Sequence, residues 1–210
     1  EIRRRLMAKG VEEGRILVTG IPVKEEFRHL SRRQGGACRR LLVMGGGLGL
    51  LPRRDSFYEA LNALEGVETT ILTGNNERLY RRLAGRYPHI EVVPFTDRVW
   101  EYMARADVML TKPGGITVFE SIFAELPLLL WKPFLQQEKN NARFLLREGL
   151  GRAAAKEPEA CLEAIRDLIY DDEALAEMGR RMRLAKSQLK AESVARLLSA
   201  LTAQREEVRA

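Results

Sequence analysis

The stretch Thr111-Lys112-Pro113-Gly114-Gly115-Ile116-Thr117-Val118-Phe119-Glu120 decides how this chain reads. It follows an apolar run at 106–110 with strand character and opens a run of helical character that reaches about residue 125. Pro113 ends the strand, because it has no N–H to give to a ladder. Gly114 and Gly115 let a backbone approach without side chains in the way, and the helix that follows points its first N–H groups at whatever lies there. Two readings fit. One is an ordinary β–turn–α connection. The other is a phosphate site at a helix N-terminus, with Glu120 one to two turns deeper, where a carboxylate accepts bonds from ribose hydroxyls.

Outward from this stretch, short apolar strands alternate with helical patterns. Strands are expected at 16–19, 41–44, 70–73, 91–93, 108–110 and 128–131, with a weak last one near 153–155. Helices are expected at 56–64, 76–86, 97–104, 117–124, 137–147 and 159–170, and a long one runs from 172 towards 205. Such alternation predicts βαβ units, and so an α/β fold: a Rossmann-like parallel sheet with helices on both faces. The strands read as continuous apolar runs, as buried parallel strands do.

In open sheets of this kind, ligands bind beyond the carboxyl ends of the strands. The unusual residues of this chain fall at those positions. Gly45-Gly46-Gly47-Leu48-Gly49 follows the second expected strand, and Gly74-Asn75-Asn76 the third. Pro94-Phe95-Thr96-Asp97, the Lys112–Gly115 loop and Pro133-Phe134-Leu135-Gln136-Gln137-Glu138 complete the row. The first glycine loop is not a P-loop, since no Gly-Lys-Ser/Thr ends it. Leu50 stands where the dinucleotide fingerprint wants glycine, and Thr73-Gly74-Asn75 stands where it wants an acid, so NAD is disfavoured. Four glycines in five residues suit the close approach of a ligand or of another backbone, or a plain tight turn.

The 210 residues, 45% of them hydrophobic, suffice for one sizeable core with attachments. A formal charge of +6 and a pI near 9.5 suit an anionic partner, whether nucleotide, nucleic acid or acidic membrane surface. The arginines come in short scattered clusters with few aromatics between them, so a platform for single-stranded nucleic acid is not expected. Cys38 and Cys161 form no CxxC pair, which leaves a zinc or redox motif without support and makes a reducing cytoplasm the simple expectation. No run of about 18 apolar residues could span a bilayer. The start, Glu1-Ile2-Arg3-Arg4-Arg5, has no apolar stretch of a signal peptide and reads as the interior of something longer.

Five motifs occur here in an order and spacing that resemble glycosyltransferase family 28. They are Gly20-Ile21-Pro22-Val23, the glycine loop from Met44 to Gly49, Pro94-Phe95-Thr96-Asp97, Thr111 to Glu120, and Gln137-Glu138 with Asn141-Ala142. The resemblance covers about residues 15–155. The family includes MurG-type N-acetylglucosaminyltransferases, monogalactosyldiacylglycerol synthases and processive diacylglycerol glucosyltransferases. The Thr111–Thr117 stretch and the Gln-Glu pair look more like the diacylglycerol branch. The resemblance implies a GT-B architecture, two Rossmann-like domains across a cleft, of which this chain is the C-terminal, donor-binding one. It implies that backbone at Phe95 and Thr96 holds the uracil edge of a UDP-sugar and that Glu120 takes the ribose hydroxyls. Gly114, Gly115 and Thr117, with Lys112 nearby, would receive the diphosphate, and Gly46 and Gly47 would close over it. Gln137 and Glu138 would reach the sugar hydroxyls, with Asn141 one turn on, and Lys24 stands where the family often has a cation near the phosphates. Leu135-Gln136 replaces the Pro-Gly that commonly precedes the Gln-Glu pair, which leaves the donor sugar open.

The implied function is inverting transfer of a hexose from UDP to a membrane lipid such as diacylglycerol, without metal or other cofactor. The base that activates the acceptor lies on the N-terminal domain in this family, so no catalytic residue is expected here. The expected organisation is the end of that domain at 1–24, a linker at 25–40, the UDP-sugar-binding domain at 41–190 and a charged helix at 191–210. The expected partners are UDP-sugar, a lipid acceptor and an anionic membrane surface at the inner face of the cell membrane, and no nucleic acid. Alternatives are a MurG-like enzyme acting on a lipid-linked cell-wall precursor, a UDP-sugar 2-epimerase, and a non-catalytic nucleotide-binding module. The epimerase would need histidines and carboxylates around the sugar carbon; His29 and His89 fall outside the motifs. Glu120, Gln137, Glu138 and Lys112 also admit plain readings, as solvated or first-turn residues.

Overall fold

The computed structural model describes residues 2–16, 20–30 and 38–189. Two compact units divide the chain, residues 23–186 and residues 1–22 with 187–210. In the smaller one, helix α1 (Ile2–Met7) is followed by a single 3-10 turn at Glu13–Arg15. An Arg3–Glu13 ion pair of 2.6 Å joins the two. Residues 17–19 of the strand expected at 16–19, and the helix expected at 191–210, lie outside the described residues.

The larger unit opens with α2 (Glu25–Arg28) and then builds one parallel sheet. In chain order its elements are β1 (Arg39–Met44), α3 (Asp55–Asn62), β2 (Val67–Leu72), α4 (Glu77–Leu83), β3 (Ile90–Val93), α5 (Val99–Arg105) and β4 (Val108–Thr111). After β4 come α6 (Gly115–Phe123), β5 (Leu128–Leu130), α7 (Gln136–Arg147), β6 (Gly151–Ala153), α8 (Pro158–Ile169) and α9 (Asp172–Gln188). The strands lie in the order β3-β2-β1-β4-β5-β6, every pair parallel. Chain order therefore runs outward from β1 to β3, then returns and runs outward again from β4. That reversal parts the loops after β1 and β4 and leaves a crevice at the carboxyl edge. The expected Rossmann-like fold is the one observed.

Burial explains which strand sits where. Leu41 to Met44 of β1, all of β4 and all of β5 are buried, as their unbroken apolar runs require. β2 and β3 instead alternate, with Glu68 and Glu91 exposed. Their outer face is polar: Arg40 pairs with Glu68 at 3.6 Å, and Thr70 Oγ1 donates to Glu91 Oε2 at 3.2 Å. Reading only continuous runs therefore starts β2 three residues late. On the opposite face Leu41, Val43, Ile71, Leu110 and Leu129 pack under α3 and α8. Helix α8 brings Cys161, Ile165, Leu168 and Ile169 to that core, the i, i+4, i+7, i+8 pattern of one helix face. Burial pushes the Cys161 thiol up to about 11, so it acts there as a small apolar group.

The linker expected at 25–40 needs correcting at both ends. Arg39 and Arg40 already belong to β1. Arg39 also fastens the start of α9, donating to Ile169 O at 3.0 Å and to Asp172 Oδ1 at 2.5 Å. At the other end, α2 packs on α6, and its Phe27 is 1% exposed. One buried aromatic makes the segment part of the domain, although its neighbours are charged. Residues 31–37 lie outside the described ones. Phe27→Ala should therefore lower the unfolding free energy of the domain by about 3–5 kcal/mol. Urea denaturation measures it; an unchanged midpoint would return the segment to linker status.

Candidate functional site

The crevice has β1 on one side and β4 on the other, and α6 opens directly into it. Gly114 is the N-cap of α6, with φ −66° and ψ 149° and no side chain bonded across the first turn. Gly114 N–H instead turns back to Lys112 O at 2.8 Å. The helix starts with the N–H groups of Gly115, Ile116 and Thr117, which by position have no intrahelical acceptor. A Cβ at Gly114 would find only Thr117 Oγ1, 3.9 Å away. The backbone here is approachable from the crevice.

The glycine loop after β1 is shaped largely by its neighbour. A Cβ on Gly49, at φ +56°, would lie 2.0 Å from Thr73 O, and one on Gly45 would lie 2.4 Å from Leu50 N. Gly74, also at φ +56°, would meet Gly47 O at 2.6 Å. Asn75 N–H donates to Gly47 O at 2.9 Å, and Asn76 Nδ2 donates to Gly49 O at 3.0 Å. The other end of that amide caps α4, with Asn76 Oδ1 accepting from Leu79 N–H at 3.0 Å. Backbone packed on backbone is what Gly45, Gly49 and Gly74 serve. Gly46 and Gly47 differ: both are exposed, and a Cβ on either meets nothing within 4 Å. Their outer face is open to a ligand. The Asn76 bridge escaped the sequence reading, although an asparagine just before a helix is the signal that could have found it.

Lys24, Glu120 and the loop from Pro94 to Arg98 come together further along α6. Lys24 Nζ donates to Asp97 O at 2.9 Å. Glu120 is partly buried on α6, and burial raises its carboxyl above the usual range, with the Lys24 ammonium acting in the opposite direction. Phe95 is exposed, and Thr96 Oγ1 accepts from Arg98 N–H at 3.1 Å.

The β5–α7 connection supplies the third side. Glu138 is buried, and its Oε2 accepts from Phe134 N–H at 2.7 Å and Leu135 N–H at 3.1 Å. That carboxylate oxygen is occupied in holding the entry to α7. Asn141 Nδ2 donates to Pro113 O at 2.9 Å and so fixes the loop that leads into α6. Gln137 is exposed and Lys112 partly so. Leu48, Ile116 and Phe134, each beyond a strand's carboxyl end, are exposed apolar side chains, Phe134 being 77% exposed; their sequence pattern suggested no role.

The residues fit a nucleoside diphosphate: N–H groups for phosphates, a carboxylate for hydroxyls, and backbone in an exposed loop for a base. Residues 40–197 match the model of the glycosyltransferase family 28 C-terminal domain, and the chain belongs to that family. A processive diacylglycerol beta-glucosyltransferase of Bacillus licheniformis is 29% identical over 194 residues, which are 87% of this chain and 50% of that protein. The chain thus spans about half the length of the curated relatives it matches. Among solved structures, Acinetobacter baumannii MurG shares the fold with a TM-score of 0.63 at 22% identity, over 78% of this chain and 53% of that one. A spinosyn rhamnosyltransferase complexed with thymidine diphosphate has a TM-score of 0.60 at 19% identity, over 78% of this chain and 46% of that one.

Two substitutions in the glycine loop should separate its structural from its open positions. Gly49→Ala forces a methyl into the Thr73 carbonyl at a left-handed φ and should cost about 2–4 kcal/mol of stability. Gly47→Ala should leave stability within about 0.5 kcal/mol. Thermal unfolding of both variants checks the contrast, and equal losses would mean that the loop is not pinned as described.

Proposed function

We propose that this chain is the donor-binding half of an inverting, UDP-sugar-dependent glycosyltransferase that passes a hexose to a membrane lipid such as diacylglycerol. The observation that carries the reading is the start of α6: an N-cap without a side-chain cap, opening at the strand-order reversal, with Glu120 partly buried farther along the same helix. The diphosphate takes the N–H groups of Gly115 to Thr117. The ribose hydroxyls donate to Glu120, and the base lies along the backbone of Phe95 and Thr96. Gly46 and Gly47 leave room above the phosphates, while Gln137 faces the sugar. Glu138 and Asn141 act one step back, because their bonds hold the loops that carry these groups.

This arrangement suits loss of UDP. As the glycosidic bond breaks, negative charge grows on the diphosphate, and the aligned peptide dipoles of α6 stabilise it without reorganising. Among the described residues no three His, Cys, Asp or Glu side chains stand together to hold a metal, and transfer without one is part of the proposal. The base on the acceptor hydroxyl is assigned to the other half of the polypeptide.

Nucleotide binding should depend on pH through Glu120. Burial raises its carboxyl in the free protein, so its contribution to fold stability is fully present at low pH and is lost as pH rises through that raised value. Ribose hydroxyls bond best to the ionised carboxylate, so the complex holds this proton less tightly. UDP affinity should then fall as pH is lowered through the free protein's Glu120 value. Calorimetry with chelator present should show that dependence in the wild type and its reduction in Glu120→Gln to what the UDP phosphate itself contributes. Binding that needs a divalent ion, or keeps the full wild-type pH dependence in the variant, would contradict the reading.

A lipid acceptor requires work at a membrane surface. Among the described residues no helix is long and apolar enough to cross a membrane. Exposed Leu48, Ile116 and Phe134 at the carboxyl edge, with exposed Lys132 and Lys139 on the β5–α7 segment, support peripheral docking at an anionic inner leaflet. Each cation at such a surface contributes about 1 kcal/mol, screened within a Debye length of about 8 Å at physiological salt. The protein should sediment with anionic vesicles, detach as salt rises and ignore neutral ones. Salt-insensitive binding to both would contradict this.

A further inference from the structure

We propose that Lys24 is a positioning residue for the nucleoside half of the donor, holding the loop between β3 and α5 where the base is met, and not a cation for the diphosphate. The inference rests on the UDP reading above. Lys24 immediately precedes α2, and α2 lies against α6. From there its ammonium reaches Asp97 O at 2.9 Å, across 73 residues of sequence. The loop's own bond, from Arg98 N–H to Thr96 Oγ1 at 3.1 Å, is local. Lys24 ties this loop to a different element, so the exposed Phe95 and Thr96 backbone is held in register with α6.

Its hydrogen-bond partner lies on the nucleoside side of the site, in the loop between β3 and α5. The seat for the diphosphate is the first turn, Gly115 to Thr117, whereas the Lys24 charge acts on Glu120. Gly115 and Glu120 are about 7.5 Å apart along the axis at 1.5 Å per residue. An ammonium has three donors. The one spent on Asp97 O is what fixes the loop that meets the base. The family resemblance had pointed to the phosphate side; the hydrogen bond to Asp97 points to the base.

Uridine and UDP distinguish the two roles, because uridine carries no phosphate. Lys24 is exposed, so Lys24→Met and Lys24→Gln leave the core intact, and circular dichroism verifies it. Both ligands are titrated into wild type and both variants by NMR. Loss of the hydrogen bond to Asp97 O should weaken uridine and UDP by the same factor, about three- to tenfold, with the amide shifts of Phe95 and Thr96 changed in the free variants. A loss for UDP with uridine unchanged would make Lys24 a phosphate cation and overturn the proposal, as would unchanged binding of both. Wild-type protein that binds neither ligand would overturn the UDP reading itself, and this inference with it.

Discussion

The reversal of strand order between β1 and β4 is the constraint on which the rest depends. Neighbouring strands joined by adjacent crossovers would close their loops over one another. Here β1 sends its chain outward to β2 while β4 sends its chain the other way to β5, so their loops part. Water can satisfy the backbone exposed at the parted edge, so solvation alone gives that edge no fixed shape. It is held open by specific contacts. The loop after β1 is packed, glycine against carbonyl, on the loop after β2. The loop after β4 is held by Asn141, and the loop after β5 by Glu138. Each loop is fixed by a partner behind it, which leaves the faces toward the crevice free.

The chemistry follows from that division of labour. A site for a diphosphate needs donors that do not collapse onto each other before the ligand arrives. The start of α6 meets this need, because Gly114 caps the helix with backbone alone and offers no side chain to its N–H groups. Glu120 carries a cost in the free protein, since burial disfavours its charge. In the proposed complex the ribose hydroxyls would offset that cost by donating to the carboxylate. Lys24 lowers the cost without removing it.

Much of the fold was legible because the central strands are apolar without interruption. Leu41 to Met44, Val108 to Leu110 and Leu128 to Leu130 could hardly be read otherwise. β2 and β3 were read short because Glu68 and Glu91 alternate with buried residues on a face that is only partly covered. Helix α2 was read as linker because four residues give no periodicity, and Phe27 among charged neighbours gives no pattern. For the site, sequence located the loops correctly at the carboxyl edge, since glycine and proline punctuate them. It could not assign duties within them. Nothing local tells that Asn141 bonds a carbonyl 28 residues back, or that Gly45 and Gly49 face backbone while Gly47 faces open space. Those distinctions depend on which loops the topology makes neighbours.

The central claim is that UDP sits at the start of α6 in the crevice between β1 and β4. Amide chemical-shift mapping on titration with UDP tests it most directly, because the protein groups that donate to the diphosphate are backbone N–H groups. The largest perturbations should fall on Gly115, Ile116 and Thr117, with Gly46, Gly47, Phe95 and Thr96 following. Shifts confined to the opposite edge of the sheet, around Cys38, Asn62 and His89, which line a cavity there, would contradict the account.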